Sequence, residues 1–319
     1  MFFKARTLTL AGLVVIVLTL GTSLTRVNRA IASVAPRPPQ FIALAFDNCG
    51  PLENWDLTRK FSAELADFKI SQRFTYFLSG TFYLTANKRG LYQGPKQRPG
   101  LSNVGWASSN QEILQRIEQV NLALAEGHEV GSHAGGHFDG SNWAAVDWSR
   151  EFELFNFLVF GTFQNNTLRP TGALPQVLNL RQSDIVGFRA PYLATSKGLW
   201  GTLSKAGFRY DTSLIADPNY WPEKMTGGYW NFPLARLKIV GSGKSTLSMD
   251  YNFFFADSKA KEDRTHSKVY EKQMYDTYMK YFMDNYRGNR APVHIGHHFA
   301  LWNGGAYWAA MKAFALKVY

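Results

Sequence analysis

One cysteine, Cys49, in 319 residues leaves no partner for an intrachain disulfide, so a packed core must supply the stability. Low-complexity tracts and internal repeats are missing, which leaves one large or two small globular domains. Lysine and arginine outnumber the acids 35 to 24, yet they nowhere cluster along one helix in the manner of a nucleic-acid module. A phosphate loop is absent as well. Gly241-Ser242-Gly243-Lys244-Ser245-Thr246 mimics one, but Lys238 stands where the first glycine belongs, and a strand-like Leu247-Ser248-Met249 follows where a helix should. Nucleotide binding is excluded on that ground.

A nearly uncharged apolar run, residues 8–24, lies behind Lys4 and Arg6 and before the small residues Ala30-Ile31-Ala32 and Ser33-Val34-Ala35. This is the pattern of an export signal, short for a spanning helix. Residues 1–35 are therefore set aside as a signal peptide, and residues 36–319 are expected to form one catalytic domain, periplasmic or secreted. Arg26 and Arg29 between the run and the cleavage region leave an uncleaved membrane anchor as the alternative. Cleavage would remove four cations (Lys4, Arg6, Arg26, Arg29) and no acid, so the formal charge of +11 falls by four to +7. A basic exported protein suits an anionic polymer or surface.

Along the domain, short apolar strands alternate with helical stretches. The pattern predicts strands at 41–46, 73–78, 129–131, 185–188, 208–210 and 293–296, helices at 53–69, 110–126, 151–163, 196–206 and 266–286, and a β-rich section at 229–255. Such alternation argues for a parallel sheet or barrel, a fold that gathers its sites at strand C-termini. The polar residues sit at those ends: Asp47-Asn48, His133 and His137, Arg189-Ala190-Pro191-Tyr192, Asp211, and His297-His298.

Two histidines four apart in Gly131-Ser132-His133-Ala134-Gly135-Gly136-His137-Phe138-Asp139-Gly140 can converge on one metal ion, and the glycines permit the tight turn this needs. Of the seven histidines all but His266 fall into two strand-end clusters, His128/His133/His137 and His294/His297/His298, and one joint site is the simpler account. A carboxylate beside a metal-activated water is what hydrolysis of an unreactive amide requires. Cys49 adjoins Asp47, but the metal-type histidine spacing favours a packing or cleft-lining thiol over a nucleophile. Asn165-Asn166-Thr167 fits a glycosylation acceptor and carries no argument without knowledge of the host.

Phe46-Asp47-Asn48, His133-x-x-x-His137, Arg189-x-Pro191-Tyr192, a strand-borne Asp211 followed by tryptophans, and Ile295-x-His297, in this order, resemble the polysaccharide deacetylases of carbohydrate esterase family 4, the NodB homology domain. The resemblance runs from Phe41 to the C-terminus. It implies a distorted (β/α) barrel, seven-stranded, and removal of acetyl groups from N-acetylated sugars. It makes Asp47 the general base, His297 the general acid, and Asn48, His133 and His137 the ligands of a divalent metal ion, zinc by preference. Arg189 would orient Asp47, Asp211 would tune His297, and the backbone N–H of Tyr192 would face the oxyanion. Pro191, Tyr192, Trp230 and Trp302 would meet the sugar.

Two residues depart from the family pattern. Asn48 stands where a second Asp is usual, and brings a carbonyl ligand without charge; Asp139 is a candidate to compensate. Ala134 removes a loop-bracing hydroxyl. The expected partner is an N-acetylglucosamine polymer, peptidoglycan ahead of chitooligosaccharides, with no nucleic acid or nucleotide, and a membrane only if the N-terminal segment stays uncleaved. The alternatives are an O-acetyl esterase of xylan type and a non-catalytic glycan-binding relative whose metal site is impaired.

Overall fold

The computed structural model describes residues 37–319; residues 1–36, which carry the expected export signal, lie outside them. The chain enters through β1 (Ile42–Asp47), whose last four residues are buried, and turns at Pro51 into α1 (Leu52–Asp67). Next comes β2 (Phe74–Leu78), followed by a glycine- and proline-rich excursion to α2 (Asn110–Ala125). Ser109 caps α2 by accepting from the Glu112 N–H at 3.2 Å, and the Glu112 carboxylate accepts from the N–H of the preceding Ser108 at 2.7 Å, so both bonds fix the helix start. Then follow β3 (Glu129–Ser132), α3 (Ala145–Phe160), α4 (Thr162–Asn165), β4 (Gly187–Phe188), α5 (Lys197–Trp200), β5 (Tyr210–Asp211), β6 (Ile215–Ala216), β7 (Glu223–Lys224), β8 (Trp230–Asn231), β9 (Leu234–Lys238) and β10 (Ser245–Leu247). The chain ends with α6 (Asp250–Ser258), α7 (Ser267–Arg287), β11 (Val293–His298) and α8 (Trp302–Val318).

The main sheet has the order β11-β1-β2-β3-β4-β5-β8-β7, and all its pairings are parallel except β7 with β8. A smaller sheet, β10-β9-β6, leans on β11 through a bridge between Met249 and Gly296. The expected distorted (β/α) barrel is thus a curled, parallel-rich half-barrel with seven parallel strands. Register does the work that matters for function. Asp47 pairs with His298 and with Phe77, Phe77 with Gly131, Ser132 with Phe188, and Phe188 with Asp211, so these strand ends lie at one level. Side chains alternate across a strand, so one set faces the barrel interior and the next faces the helices. Phe46, Phe74 and Tyr76 belong to the helix side, where they pack with Trp55 and Phe61 of α1. Asp47 belongs to the interior.

Two expectations fail locally. The predicted helix over 196–206 breaks at Gly201 into α5 and a separate 3₁₀ turn. The predicted β-rich section stops at Leu247, because 250–258 buries Phe253, Phe254 and Ala256 against neighbouring elements as a helix; its aromatics suggest a strand, but tertiary packing decides. Among the described residues no helix is long and apolar enough to cross a membrane.

His128 shows how a buried imidazole can be purely structural. It precedes β3, stacks on Phe74 with centroids 5.1 Å apart, and its Nδ1 accepts the Phe74 N–H at 3.1 Å. Burial, outweighing the nearby Glu126 carboxylate, pushes its pKa from 6.5 down to about 4. The unfolded chain therefore binds a proton that the folded chain refuses, and the stability from this group is complete above pH 6.5 and lost as pH falls towards 4. His128→Gln should shrink the loss of stability between pH 7 and pH 5 by on the order of 1 kcal/mol, after allowance for solvent screening. Urea unfolding of both proteins at the two pH values measures it; equal losses would contradict the assignment.

Candidate active site

At the C-terminal ends of the parallel strands a cleft of about 470 Å³ is lined by Asp47, Asn48, His133, His137, Tyr192 and Trp302, among others, with His298 on the β11 side. Beneath it Arg189 is fully buried. Its Nη1 donates to Asp47 Oδ1 at 2.7 Å, its Nε to Thr212 Oγ1 at 2.6 Å, and its Nη2 reaches His294 Nε2 at 3.0 Å, while the guanidinium lies 4.6 Å over the Phe77 ring. Burial alone would raise the pKa of Asp47, but the Arg189 charge, aided by His133 and His298 and by the Arg189 hydrogen bond, holds the carboxyl below its ordinary value. Asp47 is thus an ionised carboxylate with one oxygen tied to Arg189.

The two-histidine loop begins where β3 ends. His133 donates from Nδ1 to the Arg189 carbonyl at 2.7 Å, which fixes its tautomer and leaves the Nε2 lone pair available. The His133 and His137 rings are 4.9 Å apart, and His137 also packs on Tyr192 at 4.6 Å. Burial lowers both pKa values, that of His137 to about 3, so both rings are neutral near pH 7. The buried Nδ1 of His137 has no hydrogen-bond partner.

Asn48 sits at φ 52°, in the left-handed region that Asn tolerates better than most residues. Its Oδ1 accepts from Ser79 Oγ at 2.9 Å, and its Nδ2 donates to His137 Nε2 at 3.4 Å. A half-turn of the amide would exchange these ends and turn the oxygen towards His137, since the Ser79 hydroxyl can accept as well as donate. Two neutral imidazoles and an amide oxygen suit a divalent cation of the N/O-seeking kind, zinc among them. No group of three His, Cys, Asp or Glu converges to hold a metal among the described residues, so the donor set lacks a third anionic or imidazole arm. Asp139 does not provide one. It is exposed and accepts from the Ser141 N–H at 2.8 Å within its own turn.

On β11, the strand paired with β1, the structure departs from the sequence reading. In β11, His298 shares the level and face of Asp47, whereas His297 pairs with Phe46 and points into the helix layer, 6.4 Å from the Phe46 ring and 6.2 Å from Tyr278. His297 does not line the cleft. The carboxylate that serves both is Asp250, not Asp211. Asp250 Oδ1 lies 2.7 Å from His298 Nδ1, Oδ2 accepts the His298 N–H at 2.9 Å, and Oδ2 is 3.5 Å from His297 Nδ1. Burial would lower the pKa of His298, but the Asp250 charge and hydrogen bond raise it above its ordinary value; His297, with burial dominant, is pushed down to about 4.

Asp211 supports the neighbouring loop instead. It accepts from the Ser213 N–H at 2.9 Å and Oγ at 2.7 Å, and Ser213 Oγ in turn accepts the Ala190 N–H at 2.8 Å; burial raises its pKa to about 6. That loop carries Tyr192 at φ 57°, ψ 8°, in a turn closed by Leu193 N–H to Ala190 O and Ala194 N–H to Pro191 O. Backbone held in a sparsely populated region at a cleft is a common sign of function. Pro191 is buried and sets this turn without lining the cleft.

Trp302 lines the cleft, stacked on Phe254 at 5.1 Å. Trp230 does not. It borders a separate apolar cavity of about 720 Å³ with Trp221, Phe41 and Ile42, at the entry end of β1. The joint six-histidine site also dissolves: only His133, His137 and His298 line the cleft, while His294 is an interior partner of Arg189 and His128 belongs to the core. Cys49 is buried, its thiol held protonated by burial and donating to Phe46 O at 3.3 Å, so it packs and is no nucleophile. Asp250 escaped sequence reasoning because it opens a helix inside an aromatic run; its only signal was a lone acid directly after a strand.

No family model and no curated protein matches the chain. Among solved structures, the chain is similar to the Xyl-CE4 domain of a multidomain xylanase from the hindgut metagenome of Trinervitermes trinervoides (13% identity, 88% of this chain and 84% of that one, TM-score 0.44). It is also similar to a family 4 carbohydrate esterase from Streptomyces lividans in complex with acetate (12%, 87% and 88%, TM-score 0.43), and to a CE4 family pseudoenzyme from Bacillus anthracis (7%, 88% and 63%, TM-score 0.43).

If Asp250 is what keeps His298 protonatable, Asp250→Asn should lower the His298 pKa, because the raising charge is gone while the burial stays. Imidazole NMR titration of His298 in both proteins checks it. An unchanged or higher pKa in the variant would contradict the pairing.

Proposed function

We propose that the protein is a metal-dependent deacetylase that removes N-acetyl groups from N-acetylglucosamine-containing polysaccharide, with peptidoglycan as the substrate ahead of chitin. The observation that carries this reading is the placing, side by side in one cleft, of an Arg189-held carboxylate on β1 and an Asp250-paired imidazole on the neighbouring β11, with two neutral imidazoles in the same cleft. A base kept ionised beside a group that holds a proton is the pairing that amide hydrolysis needs. Peptidoglycan is favoured by the expected export and by the basic charge, +11 for the whole chain less the four cations of residues 1–35, or +7, which suits an anionic envelope polymer.

Asp47 takes a proton from the attacking water as the water oxygen bonds to the acetyl carbon. The carbonyl oxygen gains charge in that step, and the backbone N–H of Tyr192, in its left-handed turn, is the donor assigned to it; one such donor lowers a barrier by about 3 kcal/mol. His298 then delivers its Nε2 proton to the amine nitrogen as the C–N bond breaks, and acetate leaves. Nδ1 stays on Asp250, which holds the ring in place throughout. A divalent cation, when bound by His133, His137 and the Asn48 oxygen, would polarise both the water and the acetyl carbonyl. Tyr192, 61% exposed, and Trp302 offer ring faces on which a pyranose can rest.

Incubation with peptidoglycan and with chitooligosaccharides should release acetate, and a chelator should stop it. Asp47→Asn should abolish release, and His298→Gln should slow it by about 10²-fold or more, whereas His297→Gln should change the rate by less than about tenfold. Release from acetylated xylan alone would point to an ester substrate. Saturable polymer binding without acetate from any substrate would overturn the catalytic reading.

A further inference from the structure

The loop that carries His133 and His137 has little reason to hold its own shape. Ala134 and His137 both stand at positive φ, 63° and 60°, and Gly135 and Gly136 between them carry no side chain to pack. The loop is gripped from two sides. On one side the excursion after β2 takes its carbonyls: Gly80 N–H donates to Ala134 O at 2.9 Å, Thr81 N–H to Gly135 O at 3.1 Å, Asn103 N–H to Gly136 O at 2.9 Å, and Asn103 Nδ2 to His137 O at 3.0 Å. On the other side one carboxylate takes its amides. Glu151 of α3, wholly buried, accepts the Gly135 N–H at 2.8 Å and the Gly136 N–H at 3.2 Å through the same oxygen, and Tyr92 donates to both its oxygens at 2.9 and 3.0 Å. A Cβ at Gly135 would come within 3.0 Å of Glu151 Oε1, and one at Gly136 within 2.7 Å of the Tyr92 hydroxyl, so the glycines are what let the carboxylate reach the backbone.

Burying a carboxyl group costs several kcal/mol, and such groups can often be replaced by apolar residues without loss of stability. A helix that packs by Trp148, Phe152 and Phe155 has no packing need for an acid in the same face. We propose that Glu151, oriented by Tyr92, is a positioning residue that sets the separation of His133 and His137 and thereby the affinity of the pair for a divalent cation. The part concerning the cation rests on the function proposed above; the grip on the loop does not.

The test uses the full chain, Glu151→Gln and Tyr92→Phe. Glu151→Gln keeps the volume and leaves one oxygen for the two backbone donors, but it removes the charge that strengthens those bonds and puts an NH₂ donor where the second oxygen accepts from Tyr92. Tyr92→Phe removes one hydroxyl, and decides the matter if the first variant does not fold. Hydrogen exchange followed by mass spectrometry over 134–137 should show at least tenfold faster exchange in the variants, with peptides of β1 and β2 protected as before. Zinc affinity, from competition with a chromophoric chelator, should fall ten- to hundredfold for Glu151→Gln and less for Tyr92→Phe. Unchanged loop exchange overturns the proposal, and so does faster exchange with unchanged zinc affinity. If the unmodified protein binds no zinc, the cation reading of the cleft fails, and with it the claim about affinity, while the exchange data still decide whether Glu151 holds the loop.

Discussion

The buried guanidinium of Arg189 is the constraint on which the cleft depends. Its side chain reaches Asp47 at the end of β1, Thr212 beyond β5 and His294 within β11, and its backbone carbonyl orients His133 after β3. One residue therefore sets the charge of Asp47, the proposed base, and the tautomer of the first loop histidine. A charge without water is tolerable only when its donors are satisfied, and here three side-chain acceptors and an aromatic face meet it. His294 can accept from Arg189 because its own Nδ1 donates to the Pro233 carbonyl at 3.2 Å and burial keeps the ring neutral, with a pKa near 3. Removing the arginine would leave Asp47 buried without its counter-charge, a change that costs about 3–5 kcal/mol in comparable settings.

Around this centre the cleft divides the chemistry between two strands paired to each other. β1 and β11 are neighbours in register, so Asp47 and His298 come from paired positions, yet their environments push them in opposite directions: the cation beneath Asp47 favours its ionised form, and the anion beside His298 favours its protonated form. Asp250 reaches its place because the bridge between Met249 and Gly296 docks the smaller sheet on β11 and starts α6 against it. The docking of the smaller sheet on β11 and the electrostatics of the cleft are one construction.

Much of this was legible in the sequence. Polar residues following short apolar strands located the cleft, and Asp47, His133, His137, Tyr192 and Trp302 do line it, with Arg189 beneath. What remained hidden is what a strand conceals. Adjacent residues of a strand face opposite ways, so His297-His298 could not be resolved without knowing that Asp47, not Phe46, faces the interior; a shift of one residue exchanges a cleft residue for a core residue. Asp211 and Asp250 both follow strands, and only tertiary packing shows that the first holds a loop through Ser213 while the second holds two histidines. Trp230 and His128 have the right chemistry at the wrong end of the barrel. Glu151 gave no signal, since an acid in an amphipathic helix ordinarily faces water.

The central claim is that the end of β1 and the glycine-rich loop after β3 together form a cation site next to an ionised base. Anomalous X-ray scattering at the zinc edge, from crystals of the protein grown with zinc, tests it most directly. The account predicts one dominant peak within bonding distance of a His133 and a His137 ring nitrogen, with an oxygen of Asn48 turned towards it. A dominant peak elsewhere, or none at the two histidines at saturating zinc, would contradict it.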